Sequence, residues 1–181
     1  MRNSGVWLSR TLIITEKQHL LLNAAVFQGA WLICVLAGSA AAAAVTILVV
    51  GLHLRWVRDR RRESIFLMQA FLIGFSCDLL LVQSGVLVTG GALPPLWLSC
   101  LWLLFGTTVG YTLRPFHGRL GWCMAGGALL APLSYFGGVK LSGAALMSPA
   151  WGALLIIAVI WTFIFPLLVH LYSVNRLRLP A

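Results

Sequence analysis

The chain has 181 residues, 60% of them hydrophobic and 9% charged, with a formal net charge of +9. Soluble domains carry about 25% charged residues, and a water-soluble fold of this size leaves roughly a third of its unfolded surface wet, so the composition excludes a soluble module and makes lipid the fitting solvent. The basic excess does not read as nucleic-acid binding, because the arginines fall in short segments between apolar runs.

A helix that crosses the hydrocarbon needs about 17–25 apolar residues, and six such runs follow in order. Residues 1–18 are expected as a cytoplasmic tail or an interfacial segment. A transmembrane domain over 19–173 then begins with a first span at 20–36. The basic start and Ala37-Gly38-Ser39-Ala40 mimic a cleavable signal peptide, but the apolar run is long for an h-region, so a retained span is expected. The second span, 38–57, is alanine-rich and the weakest. The third is 64–88 and the fourth 95–113, opening after Pro94-Pro95, where a missing N–H costs a helix nothing. The fifth is 120–138 and the sixth 149–172, followed by a cytoplasmic tail at 174–181. Most linkers are short, which favours antiparallel neighbours. The fold class expected is all-α, a polytopic bundle of six transmembrane helices.

Orientation follows from the basic residues. With the N-terminus inside, every Lys and Arg except Lys140 falls in a cytoplasmic segment, as the positive-inside rule requires. One span more or fewer would spoil that split. Trp56, Tyr111, Trp122 and Tyr172 stand at inner ends and Trp97 and Trp151 at outer ends, where an aromatic ring with a polar tip sits well. Both termini are therefore expected in the cytoplasm.

Asp78 is the only acid inside an apolar span. A charge at that depth costs about 2.5–3.5 kcal/mol on the insertion scale, so a local partner is required. Gly74, Asp78 and Gly85 share one helical stripe, and the glycines allow a neighbouring helix to approach closely, which turns Asp78 into the bundle. No Lys or Arg lies at membrane depth, so hydrogen bonds are expected rather than a salt bridge. The partners in reach are Asn23 or Gln28, Thr107 or Thr108, and Ser134 or Tyr135. An intramembrane ionisable group is a functional candidate by default, and Asp78 is the candidate catalytic or ligand-binding residue; the bland reading is a clamp that sets helix register. No second acid stands by for general acid–base work.

The other motifs carry less. Cys34, Cys77, Cys100 and Cys123 lie in apolar runs without CxxC spacing and read as packing residues. His19, His53, His117 and His170 fall at inner helix ends with no ligand spacing, so no metal and no cofactor is expected. The run from Arg55 to Arg62 reads as a topology determinant with a secondary contact to anionic headgroups. Gly106-Thr107-Thr108-Val109-Gly110 is a GxxxG pattern, expected to make an internal helix contact. Pro132 and Pro166 interrupt the last two spans and are sites where freed carbonyls can line a cavity.

Four segments together are distinctive: Asn23-Ala24-Ala25-Val26-Phe27-Gln28-Gly29-Ala30-Trp31; Gly74 to Gly85 around Asp78; Pro95-Leu96-Trp97-Leu98 with Leu101-Trp102; and Pro132-Leu133-Ser134-Tyr135 before Gly137-Gly138. Their order and spacing resemble the bacterial inner-membrane family filed as domain of unknown function 2878, over roughly 21–172. Ala131 stands where that pattern has a glycine. The resemblance implies an inner-membrane protein without assigned activity and a role close to membrane lipid. It singles out Asn23, Gln28, Trp31, Asp78, Pro132, Ser134 and Tyr135. The function expected first is binding, or assisting modification of, a lipid-like molecule in a polar pocket around Asp78, with Asn23, Gln28, Ser134 and Tyr135 as ligand contacts. A small proton-coupled carrier and a scaffold subunit are the alternatives. The expected partners are membrane lipid and a second copy or a membrane enzyme, with no nucleic acid.

Overall fold

A computed structural model of the chain describes residues 16–178, with side chains over 18–175. Residues 1–15, and with them most of the expected tail or interfacial segment, lie outside the described residues. Five helices and two short strands follow in order: α1 Glu16–Trp56, α2 Arg60–Gln83, β1 Leu87–Val88, α3 Leu96–Val109, a 3-10 turn Arg114–Phe116, α4 Leu120–Ser142, β2 Ala145–Leu146 and α5 Ala150–Arg178.

The first two expected spans are not separate helices. They form the single helical stretch α1, broken at Gly38, whose φ of 79° and ψ of −177° are not helical. That backbone region belongs essentially to glycine. A continuous helix, rising ~1.5 Å per residue, would place Asn23 and His53 about 45 Å apart. Instead both reach the same end of α3. Thr112 Oγ1 donates to Asn23 Oδ1 at 2.6 Å, and the His53 ring meets the neighbouring Tyr111 ring edge-on at 5.2 Å. Cys34 and Thr46, one on each side of Gly38, are side-chain neighbours. The chain therefore folds back at Gly38, and Ala30 and Cys34 from one half and Ala42 from the other pack on Cys100 and Leu104 of α3.

Local chemistry sets the remaining ends. Asp59 caps α2, accepting from Arg62 N–H at 3.1 Å, so the arginine run becomes the turn into α2 and its first residues. The expected third span, 64–88, starts earlier and ends at Gln83. Gly85, with φ of 73°, makes a turn into β1 instead of extending the Asp78 stripe. β1 pairs antiparallel with β2, Leu87 opposite Leu146 and Val88 opposite Ala145. This bridge joins the α2–α3 and α4–α5 connections at what is here called the strand end, opposite the basic end that holds Arg58–Arg62 and Arg114–Arg119. Two residues per strand carry too little periodic pattern to be read as strand.

At 14 residues, α3 is shorter than the expected 95–113 and spans only ~21 Å. It is the bundle's axis, with Leu98 to Cys100, Trp102, Leu104 and Gly106 to Val109 buried. Protein surrounds it, from α1, α2 and α5. The GxxxG glycines serve this internal packing: a Cβ at Gly106 would lie 2.7 Å from Leu67 Cδ2, and one at Gly110 would collide with the Tyr172 phenol. α4 runs past the expected 138 to Ser142. α5 runs past both the expected 172 and the expected start of the tail, to Arg178.

The outer surface is apolar. Leu21 and Leu80 are each 70% exposed and Ile47 is 74% exposed, as helix faces turned to lipid are.

Candidate functional site

Asp78 is fully buried at 0% exposure, and each carboxylate oxygen accepts one hydrogen bond from a neutral donor. Trp102 Nε1 donates to Oδ2 at 2.6 Å, and the Tyr135 hydroxyl donates to Oδ1 at 2.5 Å. Gly74, one turn before Asp78 on α2, makes the first bond possible, since a Cβ there would fall inside the Trp102 indole. The Trp102 ring is stacked on Trp161 of α5 at 4.9 Å and 14°. The Trp161 ring stands 6.5 Å from that of Tyr135, and the buried Trp161 N–H faces the Tyr135 hydroxyl. One carboxylate thus ties α2, α3 and α4 together around a stacked indole pair that adds α5.

Of the expected partners of Asp78, only Tyr135 bonds it. Asn23 lies instead at the basic end, where its Nδ2 donates to Thr107 O at 3.2 Å and its Oδ1 accepts from Thr112. It satisfies a carbonyl that the end of α3 would otherwise leave open. The hydroxyls of Thr107 and Thr108 turn back to the carbonyls of Leu104 and Phe105. Ser134 Oγ accepts from Trp31 Nε1 at 3.2 Å. Sequence reasoning misses Trp102 because its donor sits on a residue that reads as apolar in periodicity. The signal was Gly74, since a glycine one turn from a buried acid leaves room for a large flat neighbour.

Two cavities adjoin this cluster. The larger, about 490 Å³, lies between the first half of α1 and α4. Ala24, Phe27, Gln28 and Trp31 form one wall, and Leu130, Ala131, Leu133 and Ser134 the other. Phe105, Tyr135, Trp161 and Phe165 make the floor, and Thr112 and Leu113 lie at the basic end. The smaller, about 70 Å³, continues toward the strand end between Trp97, Leu98, Leu101, Trp102 and Val139. Phe27, Trp31, Phe105, Ser134, Tyr135 and Trp161 border both, so the Trp31–Ser134 hydrogen bond is a bar across one cleft. Gln28, Ser134 and Tyr135 line the cleft. Asn23 and Asp78 do not, and Asp78 stands behind Tyr135 and Trp102.

The cleft exists because its two walls are bound to different helices. α4 is drawn onto α5 by Gly127, where a Cβ would strike the Trp161 carbonyl, and by Gly126, packed against Phe116 and Phe165. The first half of α1 is drawn onto α3 by Asn23, Phe27, Ala30 and Cys34. Between them Trp31 reaches across alone by hydrogen bond, meeting Ser134 and lying 3.5 Å from where a Cβ of Gly137 would be. Leu130 and Leu133, 57% and 66% exposed, flank its side opening.

Among the described residues, the other acids and the histidines sit at the basic end. His53 Nε2 meets Glu63 Oε1 at 2.8 Å, and Arg62 Nε meets Asp59 Oδ2 at 2.7 Å. His117 Nε2 donates to Val109 O at 2.8 Å. Among the described residues no three His, Cys, Asp or Glu side chains gather as a metal site, and the four cysteines are buried thiols.

An all-helical chain with four helices long and apolar enough to cross a membrane, clothed in outward leucine and isoleucine, has the architecture of a helical membrane protein. Residues 20–167 match the family model described as Protein of unknown function (DUF2878), and the chain belongs to that family. No curated protein and no solved structure matches it.

Proposed function

We propose that the chain is a bacterial inner-membrane protein that crosses the bilayer six times with both termini in the cytoplasm, and that it binds a lipid-like molecule in the cleft between the first half of α1 and α4 and presents it for modification. The reversal at Gly38 supports counting α1 as two crossings. With the short α3 counted as the fourth crossing, Arg58–Arg62 and Arg114–Arg119 fall on one side, as the positive-inside rule demands.

The observation that carries the binding reading is the 490 Å³ cavity itself. It lies within the range of ligand sites, which are mostly apolar with a few placed polar groups. Aromatic and aliphatic side chains form most of its surface. Gln28, Ser134 and Tyr135 supply the polar contacts. In this reading Asp78 is a positioning residue that fixes Tyr135 and Trp102 and does not touch the ligand.

The test is to purify the full chain in mild detergent and identify co-purified lipid by native mass spectrometry. Ala24→Trp fills the cavity from its wall. It is expected to lose the lipid while keeping the melting temperature, and retention of the same lipid at the same stoichiometry would overturn the reading. Comparing lipid extracts of a deletion strain with those of the strain complemented by the native chain tests the modification step. Identical profiles would reduce the reading to binding alone.

A further inference from the structure

We infer that the molecule in the cleft is an anionic phospholipid whose acyl chain enters between α1 and α4 from the leaflet at the basic end, with its headgroup held at the Arg114–Arg119 turn. This rests on the cleft being a lipid site.

Three observations place the ligand this way round. The larger cavity is barred toward the strand end by Trp31 and Ser134, whereas toward the basic end its lining runs to Thr112 and Leu113, immediately before Arg114. Arg114 and Arg119 are both exposed there.

Dimensions agree. The lining runs from Ala24 to Trp31 on α1 and from Gly126 to Tyr135 on α4, which is about 10–14 Å of helix rise, and beside them from Phe105 of α3 past its end to Leu113. One leaflet of hydrocarbon is about 15 Å deep, half of the ~30 Å core. A chain whose headgroup stays at the arginine turn therefore reaches Tyr135 without leaving its own leaflet. Basic side chains at a membrane surface attract anionic headgroups, each strongly enough to shift binding roughly fivefold. Choline headgroups, with no net charge, gain nothing from them.

The experiment uses the full chain in nanodiscs of phosphatidylcholine doped with a photoreactive lipid bearing a diazirine on its acyl chain, with labelled peptides mapped by mass spectrometry. Three probes carry the same chain: phosphatidylglycerol, phosphatidylcholine and the free fatty acid. Phosphatidylglycerol is expected to label 24–31 and 126–135 roughly tenfold more than phosphatidylcholine. The double variant Arg114→Gln/Arg119→Gln should lower it to the phosphatidylcholine level with an unchanged melting temperature. Arg114→Lys/Arg119→Lys should keep the preference, because the charge remains.

Equal labelling by the two phospholipids, or a preference that survives in the Gln double variant, overturns the headgroup assignment and leaves the cleft reading standing. Preferential labelling by the fatty acid also overturns it and makes the ligand a free acid. If no probe labels the cleft while the outer face of α1 is labelled, the lipid-site reading falls with it.

Discussion

At Asp78 a carboxylate deep in an apolar chain is matched by donors without a cation. Two hydrogen bonds to one acid make each partner depend on the others, because a buried donor left unpaired costs about 1–3 kcal/mol. Asp78→Leu strands both Trp102 Nε1 and the Tyr135 hydroxyl and is expected to destabilise the bundle by about 2–6 kcal/mol, read as a lower midpoint in an SDS titration from mixed micelles. Asp78→Asn keeps an acceptor for Trp102 and offers an N–H to a Tyr135 hydroxyl that can rotate to accept it. Its expected loss is about 1 kcal/mol. Equal midpoints for the two variants would show that these hydrogen bonds do not hold the cluster. Gly74→Ala acts on the same cluster from the other side by driving a methyl into the Trp102 indole, and overpacking of this kind costs typically about 1–3 kcal/mol. Its measurable sign is altered near-ultraviolet circular dichroism from the Trp102–Trp161 stack. The buried acid was legible from helical spacing and residue chemistry, and Tyr135 only as one of six candidate partners. Trp102 was not, because an indole is counted as apolar until a structure shows where its N–H points.

Element boundaries depend on features that hydropathy does not weigh. Gly38 stood in the sequence as one small residue between two apolar runs. What hydropathy could not say is that helical hydrogen bonding would continue on both sides of it while the direction reversed. The cause is a positive φ that only glycine adopts without strain. Gly38→Ala is expected to cost about 1–3 kcal/mol by thermal unfolding in detergent, with the loss concentrated in contacts of the first half of α1. By contrast Gly51→Ala, at a helical position open to the surroundings, should be neutral or slightly stabilising, as alanine is the better helix former. If the two behaved alike, the backbone argument for Gly38 would fail. The length of α3 was hidden for a related reason. Its apolar run continues to Leu113, but the chain leaves the helix at Gly110, where Tyr172 of α5 packs against the backbone, a contact that no local window contains.

Across the whole molecule, the apolar content was enough to foresee helices long and apolar enough to cross a membrane, since that signal is a sum over many residues. The cleft was not legible, because it results from two helices being drawn apart by glycines and side chains that face away from it. The proposed topology has a direct check in cells. Single cysteines at Arg58 and Arg114 should both be shielded from a membrane-impermeant maleimide added outside, and one at Ser142 should react. Labelling of Arg58 and Arg114 from opposite sides would remove the sixfold crossing.

The strand pairing at one end has a mechanical consequence. Leu87 and Leu146 fasten the α2–α3 side of the bundle to the α4–α5 side at one rim, and Tyr172 against Gly110 with Asn175 on Gln69 fastens the same two sides at the other. The protein is then a frame clamped at both rims, with one leaf, the first half of α1, lying across from α4. A disulfide engineered between positions 87 and 146 should leave exchange of a bound fluorescent lipid at its normal rate. Cysteines at 24 and 130 joined across the cleft by a bifunctional thiol reagent with a reducible spacer should arrest it until a reductant is added.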